Sequence, residues 1–188
     1  EEVIVEYVVR TLRYDRELLL RSGSTGFEML MLEKRMQGTF EGFRLKGFAD
    51  RIDCYRGGEV RIVDYKTGRV EDEDIHITDG NAAEVVEKLF GPSNQGRPKI
   101  ALQLFIYGLL AQEYPALKGR PVVNSVYSVS RLFTQPLEDC PESPEFSRLT
   151  RVRLKELLEE MVNPSVPFRR TQEQATCSYC DFKMICGR

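Results

Sequence analysis

The chain has 188 residues, of which 41% are apolar and 10% aromatic, enough to bury the core of one substantial domain and too many for a disordered chain. Lysine and arginine total 27 against 29 acidic residues, a net charge of −2 that argues against a polybasic tail but leaves room for a local basic groove. No apolar run approaches the roughly 18 residues of a membrane helix, and no signal-peptide pattern opens the chain. We therefore expect a cytoplasmic protein without a membrane partner.

The N-terminal half is predicted to contain one helix followed by three strands. Apolar residues recur at helical spacing over 1–20, which is typical of an amphipathic helix. The strands form a meander closed by glycine turns, and we expect them at 27–40, from 43 to about 55, and at 60–67. The continuous apolar run at 29–32 leaves a helix open for the start of the first strand.

The C-terminal half is predicted to alternate helices with one further strand. The acidic stretch at 71–74 is most simply interpreted as a solvated loop. Beyond it we expect helices at 82–90, 99–114 and 146–162, a strand near the sheet centre at 121–133, and a proline-containing loop at 135–145. This order predicts an α/β fold in which helices flank a mixed sheet, with a cysteine-rich C-terminal tail.

Charged residues interrupt two of the predicted strands. The segment Gly47–Asp53 reads GFADRID, and Ile62–Gly68 reads IVDYKTG. Side chains alternate along a strand, so Asp64 and Lys66 share a face and can meet one scissile phosphate. Aspartates on adjacent strands can hold Mg²⁺ or Mn²⁺ through hard oxygen ligands. The alternative is a structural ion pair between Asp64 and Lys66 at a strand end.

The register of the hairpin decides which aspartate joins Asp64. Asp50 and Asp53 are three residues apart and therefore point to opposite faces of their strand. A two-residue loop would place Asp53 on the Asp64 face, whereas a three-residue loop would pair Asp50 with Asp64 directly. The spacing alone leaves both registers open.

The two segments together resemble the RecB/AddB-type nuclease domain of the PD-(D/E)XK superfamily. The resemblance extends over roughly 27–188 and includes a Q-x-x-x-Y motif, Gln103 to Tyr107, on the strongest predicted helix. It implies a PD-(D/E)XK nuclease-like fold, with a nuclease core at 1–165, its N-terminal part truncated, and a cysteine-rich metal- or cluster-binding tail at 166–188.

Carried over residue by residue, the resemblance assigns the site. Asp50 and Asp64 would be metal-binding acids, the main-chain carbonyl of Tyr65 a further metal ligand, and Lys66 the catalytic lysine. Gln103 and Tyr107 would line the active site or contact DNA. The resemblance therefore favours the odd-length hairpin loop.

One family element has no clear counterpart, an acid or histidine on a helix before the strands. The single histidine, His76, lies in the wrong part of the chain. Glu6, Glu28 and Glu33 are possible substitutes, and the residues do not choose among them.

The tail contains Cys177, Cys180 and Cys186 within ten residues, a density that selects zinc or an iron–sulfur cluster. The resemblance implies a 4Fe-4S cluster whose fourth cysteine lies upstream of this fragment, so that the site is incomplete here. Cys140 has the Cys-Pro dipeptide but the wrong position, and Cys54 is expected to be a buried small hydrophobe.

The sequence thus favours a Mg²⁺-dependent deoxyribonuclease domain, exonuclease-like, within a larger helicase–nuclease of DNA recombination and repair. Its partners would be DNA and a helicase, in the same chain or in a partner subunit. Basic residues near the site, proposed for DNA approach, are Arg51, Arg69, Arg97 and Lys99. The alternatives are a catalytically inactive nuclease-fold scaffold and, more distantly, a zinc-stabilised interaction module.

Overall fold

The computed structural model describes residues 2–56, 58–133, 139–141 and 143–187. Its elements follow in chain order as α1 (Glu2–Ser22), β1 (Glu28–Phe40), β2 (Phe43–Arg56), β3 (Glu59–Lys66), α2 (Asp72–Ile75), α3 (Ala82–Phe90), α4 (Lys99–Ala111), β4 (Val122–Ser128), β5 (Asp139–Cys140), α5 (Pro144–Val162) and α6 (Gln174–Cys177).

The five strands form one mixed sheet in the order β1-β2-β3-β4-β5. The first three are antiparallel neighbours, β3 and β4 are parallel, and β5 pairs antiparallel with β4. The parallel pair needs a long crossover connection, which α2, α3 and α4 supply. The predicted α/β fold, a mixed sheet flanked by helices, is confirmed.

The main apolar core lies between α4 and one face of the sheet. Met36, Ile52 and Ile62 contribute from the strands, and Leu104 and Leu110 from α4. A second apolar cluster joins α3 and α5 to the outer side of α4. This packing fixes α4 over β2 and β3, where the charged residues of both strands lie.

The other face of the sheet is covered by α1, in a way that the apolar pattern does not predict. Its buried residues are Asp15 and Leu18, whereas Ile4 and Leu12 from the expected apolar stripe are 67% and 62% exposed. The helix is present as predicted, but a polar contact through Asp15, described below, selects the face that packs.

Four element boundaries differ from the sequence prediction. The strand expected at 121–133 is β4, which ends at Ser128, and residues 129–133 form turns. The acidic stretch is the short helix α2, and it buries Asp74 and Ile75. Helix α4 ends at Ala111 rather than near residue 114. Glu113 and Tyr114 donate to carbonyls three residues back in tight turns, and Pro115 has no N–H to continue the helix. Of the predicted loop at 135–145, residues 139–140 form β5, and 135–138 and 142 lie outside the described residues. No helix in the described part of the chain is long and apolar enough to span a bilayer.

Candidate active site

The register of β2 against β3 brings Asp50 to Asp64. Arg51 pairs with Val63 and Ile52 with Ile62, so the next step along the same register sets the two aspartates side by side. At the end of the hairpin Arg56 pairs with Glu59, a register one residue away from that of Arg51 with Val63. The irregularity between Cys54 and Arg56 accounts for this shift of one residue. The structure therefore combines the short loop of one expected alternative with the strand register of the other.

Asp64 lies almost completely buried under α4, with 2% of its surface exposed. Its Oδ1 accepts a hydrogen bond from Gln103 Nε2 at 3.0 Å and lies 3.5 Å from the Tyr107 hydroxyl. Lys66 Nζ lies 2.8 Å from Oδ2. Burial raises the pKa of the Asp64 carboxyl above its ordinary value, and the contact with Lys66 opposes that rise.

Gln103 and Tyr107 lie one turn apart on α4 and share a face, as their spacing predicts. Gln103 Oε1 accepts a hydrogen bond from Lys66 Nζ at 2.6 Å, and its Nε2 donates to the Tyr107 hydroxyl at 2.6 Å as well as to Asp64. One amide thus holds the lysine and the carboxylate in a fixed relation. The Tyr107 hydroxyl in turn donates to the Phe48 carbonyl at 2.6 Å, and burial raises its pKa to about 12.

Asp50 is half-buried, and its Oδ2 accepts a hydrogen bond from the main-chain N–H of Tyr65 at 2.8 Å. This bond joins β2 to β3 at the point where β3 ends and orients the Asp50 carboxylate beside Asp64. This contact is made by the Tyr65 N–H, whereas the predicted metal ligand is the Tyr65 carbonyl, which stays a prediction.

The site opens into a cleft between the end of β3, the edge of β2 and α4. Asp50, Asp64 and Lys66 line it together with Gln103 and Tyr107, and Lys46 and Lys99 add two further cations. All five side chains predicted to carry the catalytic chemistry therefore converge on one open surface. The sequence pattern did not single out Lys46, although its position one residue before GFADRID was a usable signal.

Four basic residues were expected near the site, and of these four Lys99 alone lines the cleft. Arg69 is exposed and pairs with Glu71. Arg97 donates hydrogen bonds to backbone carbonyls of its own loop. The expectation for Arg51 is wrong, because its side chain lies on the α1 side of the sheet and is only 5% exposed.

Arg51 belongs to a buried ionic network that also contains Asp53. Asp53 receives hydrogen bonds from Arg51 at 2.5 Å and from Arg61 at 2.9 and 3.0 Å, and Arg51 also donates to Asp15 on α1 at 2.6 Å. Tyr127 accepts from Arg61 and donates to Asp15. Burial lowers the pKa of Arg61, but its bonds to Asp53 outweigh this effect and hold that pKa above its ordinary value. Asp53 is therefore structural and lies on the face opposite to Asp64.

The acid that was expected before the strands has three candidates in the structure. Glu6 pairs with Arg10 on α1, and Glu28 lies opposite Cys54 at the start of β1. Glu33 lies between the residues of β1 that pair with Arg51 and Ala49, which places it opposite Asp50 in the register. It has φ of 47°, an uncommon backbone conformation for a residue other than glycine. Glu33 is thus the candidate closest in register to the site.

The tail cysteines do not form a metal site in this structure. Within the described residues, no group of three or more histidine, cysteine or acidic side chains is arranged to hold a metal ion. Cys177 and Cys180 are half-buried and Cys186 is exposed, on a tail in which Tyr179 and Ile185 are 96% and 83% exposed. Cys54 and Cys140 are buried, as expected for Cys54.

Comparison with known proteins agrees with this geometry. The sequence matches the family model of the PD-(D/E)XK nuclease superfamily over residues 3–187. Because the match covers nearly the whole chain, the protein belongs to this superfamily, whose members are typically metal-dependent nucleases.

The remaining comparisons add little detail. No curated protein matches the chain. Among solved structures, the chain is similar to one described as "Crystal structure of SSO0001", with 19% identity and a TM-score of 0.39. The alignment covers 99% of this chain and 70% of that one.

Proposed function

We propose that this chain is a Mg²⁺-dependent deoxyribonuclease domain with exonuclease-like activity. The observation that carries the proposal is the convergence of two carboxylates and one ammonium, Asp50, Asp64 and Lys66, in an open cleft. A purely structural ion pair between Asp64 and Lys66 would require neither a second carboxylate beside it nor access to solvent. Phosphodiester hydrolysis requires a second carboxylate to hold the metal and an opening through which the substrate enters.

The donor set fits a hard divalent cation. Asp64 Oδ2 is buried, and its one ionic contact among the described residues is with Lys66 Nζ at 2.8 Å. A carboxylate oxygen has more than one lone pair, so Oδ2 can accept a further ligand beside the ammonium. Asp50 and Asp64 would hold Mg²⁺ or Mn²⁺, with the Tyr65 carbonyl as a further ligand. The chemistry that the ion supplies when bound is polarisation of the phosphoryl oxygen and a lower pKa of its bound water.

The side chains around the carboxylates have separate tasks. Lys66 is 25% exposed, so Nζ can reach an attacking water or a non-bridging phosphate oxygen while Gln103 restrains it. Its positive charge offsets the negative charge that develops on the phosphorane. Tyr107 fixes the backbone at Phe48 and with it the wall of the cleft. Tyr107 and Gln103 therefore act mainly as positioning residues.

Replacing Lys66 by alanine tests the assignment. Cleavage of labelled DNA in Mg²⁺ should fall by about a hundredfold or more, in line with the loss of a positioned proton-transfer or charge-stabilising group. Lys118→Ala, which removes an exposed cation between α4 and β4, should cleave like the wild type. Undiminished cleavage by Lys66→Ala would refute the proposed role. DNA binding without cleavage by the wild type would instead support the inactive scaffold.

The larger context is proposed on the RecB/AddB resemblance together with the tail. The core at 1–165 would act beside a helicase, in the same chain or a partner, during recombination and repair in the cytoplasm. The tail at 166–188 would close around a 4Fe-4S cluster through Cys177, Cys180, Cys186 and an upstream cysteine. The exposed apolar side chains of the tail support this, because cluster binding would give them a structure to pack on.

The cluster can be tested on the full-length protein purified without oxygen. Visible absorption with about four iron atoms per chain, lost in Cys180→Ser, would support it. Colourless protein containing zinc would favour the interaction module, and an absence of both metals would refute the cluster.

A further inference from the structure

The side of helix α1 that packs on the sheet continues past the part that the sheet covers. Asp15 and Leu18 are the buried residues of this helix, and Asp15 reaches the sheet through Arg51. Ile4 and Val8 precede Asp15 by about three and about two whole turns, so they lie on nearly the same side of the helix. They are nevertheless 67% and 53% exposed. The first turns of α1 therefore project beyond the sheet with their apolar side uncovered.

Four apolar side chains make up this uncovered side. Ile4, Val8 and Leu12 recur at every fourth position, which aligns them along the helix, and Val5 lies beside them. Val5 and Leu12 are 60% and 62% exposed. We call these four residues the α1 stripe. A contiguous row of exposed apolar side chains is typical of an interaction surface.

The charges beside the α1 stripe have opposite signs at its two ends. Glu2 lies at the N-terminal end, whereas Arg13 and Arg16 follow the last residue of the stripe. All three are exposed, and none forms an ion pair with a residue in the described ranges. A second α1 in antiparallel orientation places its Glu2 near Arg13 and Arg16, whereas a parallel one places like charges side by side.

The apolar residues have the symmetry that an antiparallel pair requires. Val8 is the middle of the stripe, and Ile4 and Leu12 are equally distant from it on either side. A two-fold axis at Val8 sets Val8 against Val8 and Ile4 against Leu12 of the second copy, as in an isologous contact. A lipid surface fits less well, because membrane-surface helices have polar faces rich in lysine and arginine, and that of α1 also contains Glu6 and Glu17.

We propose that two copies of the chain form a two-fold dimer in which the α1 stripes pack against each other in antiparallel orientation. Helices α1 and α4 cover opposite faces of the sheet, so both active-site clefts stay open in the dimer. The dimer therefore does not depend on the proposed nuclease function. Only the first turns of each helix take part, and such a small interface corresponds to a weak dimer with a micromolar dissociation constant.

Sedimentation equilibrium from about 1 to about 300 µM tests the dimer directly. The mean mass of the wild type should rise from that of one chain towards that of two. Val8→Glu should weaken the dimer at least about tenfold, because it places two carboxylates against each other in an apolar contact. The matched control is Val152→Glu on α5, which replaces a valine that is 49% exposed outside the stripe and should associate like the wild type.

The antiparallel orientation is tested by exchanging charges. Arg16→Glu should weaken the dimer about threefold or more, since it sets two acids near each other on both sides of the axis. The double variant Glu2→Arg/Arg16→Glu should restore the wild-type affinity, because each acid again meets a cation of the second copy. A double variant no stronger than Arg16→Glu would overturn the antiparallel arrangement.

The remaining outcomes separate this inference from the nuclease proposal. Circular dichroism and urea titration confirm that each variant is folded, and Val8→Glu should keep wild-type cleavage. A monomeric wild type over the whole range would overturn the dimer, as would equal association in Val8→Glu. A wild type that stays monomeric and binds vesicles of phosphatidylcholine and phosphatidylglycerol would show a lipid surface and would also overturn it. Association that Val8→Glu abolishes would support the dimer even if the wild type does not cleave DNA.

Discussion

Gln103 is the residue that connects the two charged groups on β3. Its amide oxygen holds Lys66 and its amide nitrogen holds Asp64, so both orientations depend on one side chain. Replacing it by leucine should lower kcat by about ten- to a hundredfold, as is usual when a residue that orients catalytic groups is lost. Steady-state kinetics on single-stranded DNA would measure this effect. Gln112→Leu, just beyond the end of the same helix, is the control and should keep full activity.

Asp53 shows how a carboxylate close in sequence to the site can have an unrelated role. It is fully buried and offsets the charges of Arg51 and Arg61. Asp53→Ala should therefore lower the free energy of unfolding by about 3–5 kcal/mol in urea titrations, because it leaves buried charges uncompensated.

A control variant and an activity assay distinguish the structural role of Asp53 from a role in the cleft on the other face of the sheet. Glu156→Ala breaks an exposed ion pair with Arg153 and should cost less than about 1 kcal/mol. Cleavage per folded molecule should not change in Asp53→Asn. A specific loss of Mg²⁺-dependent cleavage in Asp53→Asn, with the fold intact, would place Asp53 in the site and contradict the observed register.

Helix α4 is the element that carries Gln103 and Tyr107, and its first turn is stabilised from α2. Asp74 Oδ1 accepts a hydrogen bond from the main-chain N–H of Ile100 at 3.2 Å. Burial raises the pKa of Asp74 above its model-compound value of 3.8, although its backbone hydrogen bonds oppose the rise. The folded protein therefore binds this proton more tightly than the unfolded chain.

The contribution of Asp74 to the free energy of unfolding depends on pH. Stability that Asp74 contributes is complete below its unfolded pKa and declines as the pH rises through the folded value. Relative to Asp74→Asn, which keeps an acceptor for Ile100, the wild type should lose unfolding free energy as the pH rises above 3.8. Urea titrations of both proteins between pH 3.5 and about 7 would measure the difference. A constant difference across this range would contradict the prediction.

The contact between β2 and α4 depends on a glycine. A Cβ on Gly47 would lie 2.9 Å from the Tyr107 ring, so Gly47→Ala should displace the ring and its hydrogen bond to the Phe48 carbonyl. We expect a loss of about 1–3 kcal/mol in unfolding free energy. Gly108→Ala on α4 meets no atom within 4 Å and should be neutral or stabilising, which makes it the matched comparison.

At the scale of the whole molecule, the sheet separates two charged assemblies. The α1 side holds a closed network of two acids and two arginines. On the α4 side Lys66 pairs with Asp64, and Asp50 forms no ion pair with the described residues. A divalent cation that binds the folded state alone should therefore stabilise the entire chain.

Thermal melting tests this expectation. At about a hundred times its dissociation constant, Mg²⁺ adds about 2.7 kcal/mol and should raise the Tm by roughly 5–10 °C for a chain of this size. EDTA should reverse the shift, Asp64→Asn should abolish it, and Asp181→Asn, which removes an exposed carboxylate of the tail, should retain it. An equal shift in Asp64→Asn would exclude binding at this site.

Local patterns predicted most of the elements and part of the site. Period two on β3 places Asp64 and Lys66 together, and the four-residue step on α4 places Gln103 and Tyr107 together, because both spacings are properties of one element. The end of α3 at Gly91 and the start of α5 near Pro144 likewise depend on residues that are neighbours in the sequence. Such features need no knowledge of what packs against them.

The tertiary structure decided the rest, since it depends on contacts between distant residues. A one-residue irregularity next to Cys54 determines that Asp50, and not Asp53, faces Asp64. Asp15 and Arg51 are 36 residues apart, so the face of α1 that packs is fixed by a charge pairing that apolar periodicity does not contain. The sequence by itself determined the kinds of groups available and their local spacing, and the packing of α1 and α4 on opposite faces of the sheet decided which carboxylates form a reactive cleft and which form a buried ionic network.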